Sequence, residues 1–234
     1  MNSRTASPGE KIIVALDVST AKAALHLVEQ LRHDISFFKI GLQLYTAAGP
    51  DIVRQVIATG ARVFLDLKLH DIPNTVAGAV ESADELGVQM LTIHLSGGQA
   101  MVRAAVSARK KDLSLLGVTV LTSIDEPALQ EVGVSDNIQH HVARLATIGA
   151  AAGIDGLVAS PKEVKFLREK FGPQMKLVVP GIRPAASDAA DQKRVMSPRD
   201  ALEAGADYLV IGRPITAHSN PRAAVAQICD EIAG

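Results

Sequence analysis

Tryptophan is absent from this chain, tyrosine occurs twice and phenylalanine five times. Aromatics at 3% leave no stripe of rings interleaved with basic residues, which argues against a base-stacking platform for single-stranded nucleic acid. Phe37, Phe38 and Tyr45 are expected in the core or at an interface instead. The single cysteine, Cys229, has no partner for a disulfide within the chain, which fits a reducing compartment and an inert thiol. Net charge is missing as well. The 24 Lys and Arg and 25 Asp and Glu, a formal -1, form no block of either sign and give no electrostatic footprint for nucleic acid or anionic lipid. Although 47% of residues are hydrophobic, no apolar run approaches the roughly 20 residues that cross a bilayer. The polar opening MNSRTASPGE lacks a signal-like apolar segment and a small-residue cleavage site, so residues 1–10 are expected to form the flexible N-terminus of a cytoplasmic protein.

What the sequence does contain is a rhythm. Short apolar runs rich in β-branched residues alternate with longer segments of helical period, the pattern of βα units around a parallel sheet. Strands are predicted over 12–18, 37–41, 62–68, 90–95, 114–121, 156–160, 176–181 and 208–214, with helices among them over 21–32, 74–87, 99–110, 137–152, 162–170, 198–204 and 221–232. Ser160 and Ser197, each before a proline, read as N-caps, and Gly87, Gly153 and Gly205 as helix stops. A doubly wound sheet usually carries a glycine-rich loop after its first strand; here that strand runs into LDVSTAKAAL, which has none. Eight βα units in 234 residues therefore predict an α/β fold of one domain, residues 1–234, built as a single (β/α)8 TIM barrel, whose usual size is about 250 residues. No linker or low-complexity tract divides it.

In such a barrel chemistry sits at the C-terminal ends of the strands. RVFLDLKLHDIPNTV drives an apolar strand into Asp66, Lys68 and Asp71. Strand alternation puts Asp66 and Lys68, two apart, on one side, facing the mouth. A lone buried charge is costly, but an alternating cluster of Lys39, Asp66, Lys68 and one further acid keeps each group ionised. Asp17 ends the first strand and Thr122 the fifth. Gly212 and Arg213, closing the eighth strand, fall where this fold usually binds phosphate. GIRPAASDAADQKRV, after the seventh, is long, polar and rich in small residues, as a mobile lid would be. His94 stands at a strand end without the acidic and histidine neighbours of a metal site and is expected to be a hydrogen-bonded support. His70 is assigned no proton transfer, and His140 and His141 are expected at the surface.

FLDLKLHDIPNT fits a DxKxxDIxxT pattern, and with VALDV, FFKIG, VLTS, VVPGIRP and YLVIGRPIT in the same order the chain resembles the orotidine 5'-phosphate decarboxylase family, of bacterial type, over nearly its whole length. The resemblance implies conversion of orotidine 5'-phosphate to UMP and carbon dioxide in pyrimidine biosynthesis, with no metal and no organic cofactor. It implies Lys68 as proton donor to C6 of the pyrimidine and Asp66 beside the leaving carboxylate. Asp71 and Thr75 would reach the partner's site across a homodimer interface. Asp17 and Lys39 would bind ribose hydroxyls, Lys39 also joining the charge network. Thr122 would hold the pyrimidine, Arg183 and Gln192 would belong to the lid, and Gly212 with Arg213 would grip the phosphate.

Two rivals stand beside this reading. A metal-dependent 3-keto-L-gulonate 6-phosphate decarboxylase shares DxKxxD, but that family places an acid for its ion at the end of the second strand. Lys39 occupies that position here, and a cation repels a metal. A non-catalytic nucleotide-binding barrel would have no use for four costly charges.

Overall fold

The computed structural model describes residues 7–110, 112–184 and 196–234. Eight parallel strands close in sequence order: β1 (Ile12–Ala15), β2 (Phe37–Gly41), β3 (Arg62–Leu69), β4 (Met90–His94), β5 (Ser114–Val118), β6 (Gly156–Val158), β7 (Lys176–Val179) and β8 (Tyr208–Ile211), which pairs back to β1. The expected (β/α)8 TIM barrel is therefore present. Around it run α1 (Ala21–Leu31), α2 (Leu42–Ala58), α3 (Pro73–Glu85), α4 (Gly98–Ala108), α5 (Glu126–Glu131), α6 (Ile138–Ala152), α7 (Val164–Phe171), α8 (Pro198–Glu203), α9 (Arg213–Thr216) and α10 (Pro221–Ala233). Pro8–Lys11 form a 3-10 turn that overlaps the end of the stretch expected to be flexible.

Local chemistry explains the element ends. Thr20 accepts from the Ala23 amide at the start of α1, Ser197 from Asp200 at the start of α8, and Ser160 caps the turn before α7 with Glu163 returning a bond to its amide. Gly153 closes α6 in the left-handed conformation, φ 88°. The helix over α2 is absent from the sequence reading because Gly49-Pro50 interrupts its period. Gly49 takes φ 62° and ψ -163° there, so α2 is two helices end to end: the following proline disfavours the helical region, and only glycine takes the conformation adopted instead.

Alternation along the strands sorts the core into two clusters. Inside the barrel, Ala15, Phe37, Phe64, Met90, Leu116 and Val210 pack together. Between barrel and helices lies the larger shell, to which Leu91 and Ile93 contribute from β4, each fully buried and each stabilising by roughly 1.5–3 kcal/mol. Two residues further along each inner row, the same face carries Asp17, Lys39, Asp66, Thr92, Val118 and Gly212. On the first four strands the inner row thus changes from apolar packing to polar groups as it rises to the mouth.

The opposite end is fastened by a repeated device. The residue just before β4, β6 and β8 (Gln89, Asp155 and Asp207) bonds the second residue of the preceding strand twice. Its side chain accepts from Val63, Leu115 or Leu177 at 2.7–2.8 Å, and its amide donates to the same residue's carbonyl at 2.9–3.1 Å. Arg109 and Arg168 neutralise the two aspartates. These bonds set the strand register below the site, far from the residues that do chemistry.

Several strands are shorter than the sequence suggested. β1 stops at Ala15, not Val18, because its neighbour β8 is paired only as far as Ile211, opposite Val14. β5 stops at Val118 because β4 and β6 both end opposite it, at His94 and Val158. Asp17 and Thr122 accordingly stand on loops just past the strands. Among the described residues no helix is long and apolar enough to cross a membrane.

Candidate active site

The mouth of the barrel opens into a cavity of about 500 Å³, within the range of small-molecule sites. Asp17, Lys39, Asp66, Lys68, Thr122, Arg183, Gly212 and Arg213 all line it. Seven strands or their following loops contribute, so the site exists only in the folded barrel.

Its floor is a chain of alternating charges. Lys39 Nζ lies 3.0 Å from Asp17 Oδ1 and 3.5 Å from Asp66 Oδ2, and Lys68 Nζ donates to Asp66 Oδ1 at 2.9 Å. Asp17 is the further acid that the sequence left open. Lys39 and Asp66 are each only 8% exposed, so their pairing acts in a poorly solvated place. Burial works to raise the Asp66 pKa, but the charges of Lys39 and Lys68, with hydrogen bonds from Lys68 and Thr92, outweigh it and hold the carboxyl below its ordinary value. Gly41 leaves room for this: a β-carbon there would stand 2.9 Å from Lys39 Nζ and 3.5 Å from Asp17 Oδ1.

Asp66 and Lys68 do meet at the mouth, but not through regular strand alternation. β3 pairs with β4 at Leu65–Leu91 and next at Leu69–Ile93, so two extra residues of β3 bulge out between them. Within the bulge Lys68 takes φ 52°, the one positive φ outside glycine among the described residues. A non-glycine residue there costs on the order of 1–3 kcal/mol and persists only where its surroundings impose it. Here the Lys68 amide donates to Thr92 Oγ1 at 2.8 Å, and Thr92 Oγ1 donates to Asp66 Oδ1 at 3.0 Å. Sequence reasoning missed Thr92. Its signal was a hydroxyl in the apolar strand MLTIH, on the same inner row as Met90 and His94.

Not every expected residue comes to this cavity. Asp71 and Thr75 are exposed and do not line it; the Asp71 carboxylate accepts from the neighbouring Ile72 amide at 2.6 Å. Arg183 is buried beside the Ile182–Met196 bridge and donates to the Ile182 carbonyl, whereas Gln192 lies outside the described residues. His94 packs its ring 5.5 Å from that of His70. Burial first, then the charges of His70 and Lys68, lower the His94 pKa against the opposing pull of Asp66. His140 is exposed and Phe37 and Phe38 are core, as expected, whereas His141 is half-buried. Among the described residues no cluster of three His, Cys, Asp or Glu side chains is placed to hold a metal ion.

Comparison with known proteins identifies the family and the fold. The profile of the family described as "Orotidine 5'-phosphate decarboxylase / HUMPS family" matches residues 10–228. The chain belongs to that family. A relative in Moorella thermoacetica named orotidine 5'-phosphate decarboxylase is 50% identical over 232 residues, spanning 95% of this chain and 92% of its own. One of the same name in Idiomarina loihiensis is 49% identical, covering 95% of this chain and 97% of its own. The crystal structure of orotidine 5'-phosphate decarboxylase from Lactobacillus acidophilus superposes with a TM-score of 0.85 at 35% identity, over 96% of this chain and all of that one. This chain and the Lactobacillus acidophilus decarboxylase thus share the barrel along essentially their full length.

Proposed function

We propose that this chain is a cytoplasmic lyase that converts orotidine 5'-phosphate to UMP and carbon dioxide in pyrimidine biosynthesis. The observation that carries the reading is the alternating run Asp17–Lys39–Asp66–Lys68, with Lys39 and Asp66 buried at its centre, at the mouth of a barrel whose named relatives are about half identical to it.

The reaction breaks the bond between C6 and the carboxylate carbon. Carbon dioxide leaves, the electron pair stays on C6, and a proton from Lys68 Nζ neutralises it. No carbonyl adjacent to C6 delocalises that pair, so positive charge must already stand where it develops. Preorganised charge of this kind commonly supplies the largest catalytic contribution, a hundredfold or more in rate for one donor. Asp66 pairs with the Lys68 ammonium and directs it, and its own charge beside the substrate carboxylate disfavours the bound ground state. Lys39 and Asp17 bind the ribose hydroxyls, and Thr122 the pyrimidine. Gly212 and Arg213 grip the phosphate, with Arg183 lining the same cavity. Binding energy from the phosphate, far from C6, contributes to turnover.

The whole chain acts as one domain in a homodimer, and Asp71 and Thr75 complete the partner's site. What supports this sharing is that both are exposed on their own chain and flank Ile72, 67% exposed, while Leu42 at the head of α2 is 56% exposed. What supports a reaction without metal or organic cofactor is Lys39, whose ammonium occupies the space between the two carboxylates that an ion would need. The test offers purified chain orotidine 5'-phosphate or 3-keto-L-gulonate 6-phosphate, each with and without EDTA. Turnover of the first, indifferent to EDTA, is expected; turnover of the second alone, or loss with EDTA, overturns the reading, and UMP binding without turnover points to a binding barrel.

A further inference from the structure

Thr92 is fully buried, does not line the cavity, and has one side-chain polar atom, which is used twice. Thr92 Oγ1 accepts from the Lys68 amide at 2.8 Å and donates to Asp66 Oδ1 at 3.0 Å. Asp66 Oδ1 in turn accepts from Lys68 Nζ at 2.9 Å. The three residues therefore close a ring: the Lys68 backbone, the Thr92 hydroxyl, one Asp66 oxygen and the Lys68 ammonium. The other Asp66 oxygen is left to Lys39, 3.5 Å away. The ring sits where the β3–β4 ladder slips by two residues, so the Lys68 amide, lacking a regular ladder position, points at a side chain instead. It also spans the only left-handed non-glycine residue among those described, Lys68 at φ 52°.

We infer that Thr92 is a positioning residue for proton delivery. Its hydroxyl holds the Lys68 backbone in the bulged, left-handed form and fixes which Asp66 oxygen faces the ammonium, and so aims Nζ into the cavity. The inference rests on the decarboxylase reading, because it needs Lys68 to deliver the proton. Threonine suits this role because its β-branch restricts the side chain in a strand and its methyl fills the packed inner row, leaving the hydroxyl one direction. Valine keeps that shape and removes both bonds; serine keeps both bonds and removes the methyl.

The experiment measures kcat and KM for orotidine 5'-phosphate and the Kd for UMP in wild type, Thr92→Val, Thr92→Ser and Lys68→Ala, and in the double variant Lys68→Ala with Thr92→Val. Misplacement of a reacting group by about 1 Å costs on the order of a hundredfold. Thr92→Val is expected to lose roughly ten- to a hundredfold in kcat, with KM and UMP affinity changed less than about threefold, and Thr92→Ser to recover most of the loss. In the Lys68→Ala background Thr92→Val is expected to add nothing, because the group it aims is gone; a merely structural role would add its full effect. Thr92→Val as fast as wild type, Thr92→Ser as slow as Thr92→Val, or an undiminished effect in the double variant overturns the inference while leaving the decarboxylase reading in place. An inactive wild type refutes that reading and takes this inference with it. If Thr92→Val does not fold, Thr92→Cys, whose thiol bonds weakly, is compared with Thr92→Ser on the same criteria.

Discussion

Replacing Asp66 with asparagine keeps the shape of the side chain and removes the one charge that lies between two ammonium groups. At 2.9 Å and 3.5 Å, and with an effective dielectric of about 20, each contact is worth roughly 5 kcal/mol before the cost of burying the carboxylate is subtracted. Desolvation cancels much of this in the wild type, but it does not cancel the penalty of leaving Lys39 and Lys68 facing each other uncompensated. Breaking a buried pair in that way costs about 3–5 kcal/mol. Lys39 keeps Asp17, so the lower end, about 3 kcal/mol, is expected, and at this chain length that lowers Tm by roughly 6–12 °C. Because the folded pKa of Asp66 is depressed, the contribution is fully present above the unfolded value near pH 3.9 and is lost as pH falls through the lower folded value. Calorimetry at pH 7 on wild type, Asp66→Asn, Lys39→Met and the double variant measures it as a cycle. The double variant, with charge balance restored, is expected to regain at least half of the lost Tm. An Asp66→Asn protein as stable as wild type at pH 7, or effects of the two substitutions that simply add, would refute the electrostatic coupling.

Two further outcomes follow from single observations. The lowered His94 pKa means that the unfolded chain binds the proton more readily, so stability is fully present above about pH 6.5 and falls as pH drops through that value, levelling off below the folded pKa. His94→Gln is expected to flatten the slope of urea stability in that window, and an unchanged slope would assign it to other groups. If Asp71 serves the partner's site, mixing inactive Lys68→Ala and Asp71→Ala chains, with subunit exchange, creates dimers holding one intact site. About a quarter of wild-type activity is then expected, whereas no recovery in exchanged dimers would place Asp71 in the site of its own chain.

The sequence made the barrel legible because strands buried on both faces read as short apolar runs such as FFKIG and MLTIH, and because serine before proline and glycine after helix mark element ends. Strand ends were overrun wherever apolar sequence continues past the last paired neighbour, as VLTS does after Val118. The charged residues were legible by type and place. What carries two of them was not: DLKLHD contains no glycine, and nothing local in it signals a two-residue bulge with Lys68 left-handed. That conformation is imposed from β4, through Thr92, 24 residues away. Arg183 was found from its motif, and its buried place beside Met196 depends on a bridge formed only in the folded chain.

The most direct test of the central claim follows the ultraviolet absorbance of orotidine 5'-monophosphate with wild type and with Lys68→Ala, each checked for retained UMP binding. Rapid loss in the wild type that collapses by a hundredfold or more in Lys68→Ala, with UMP still bound, is the expected result for a lysine that meets charge at C6. Equal rates in the two proteins would contradict it.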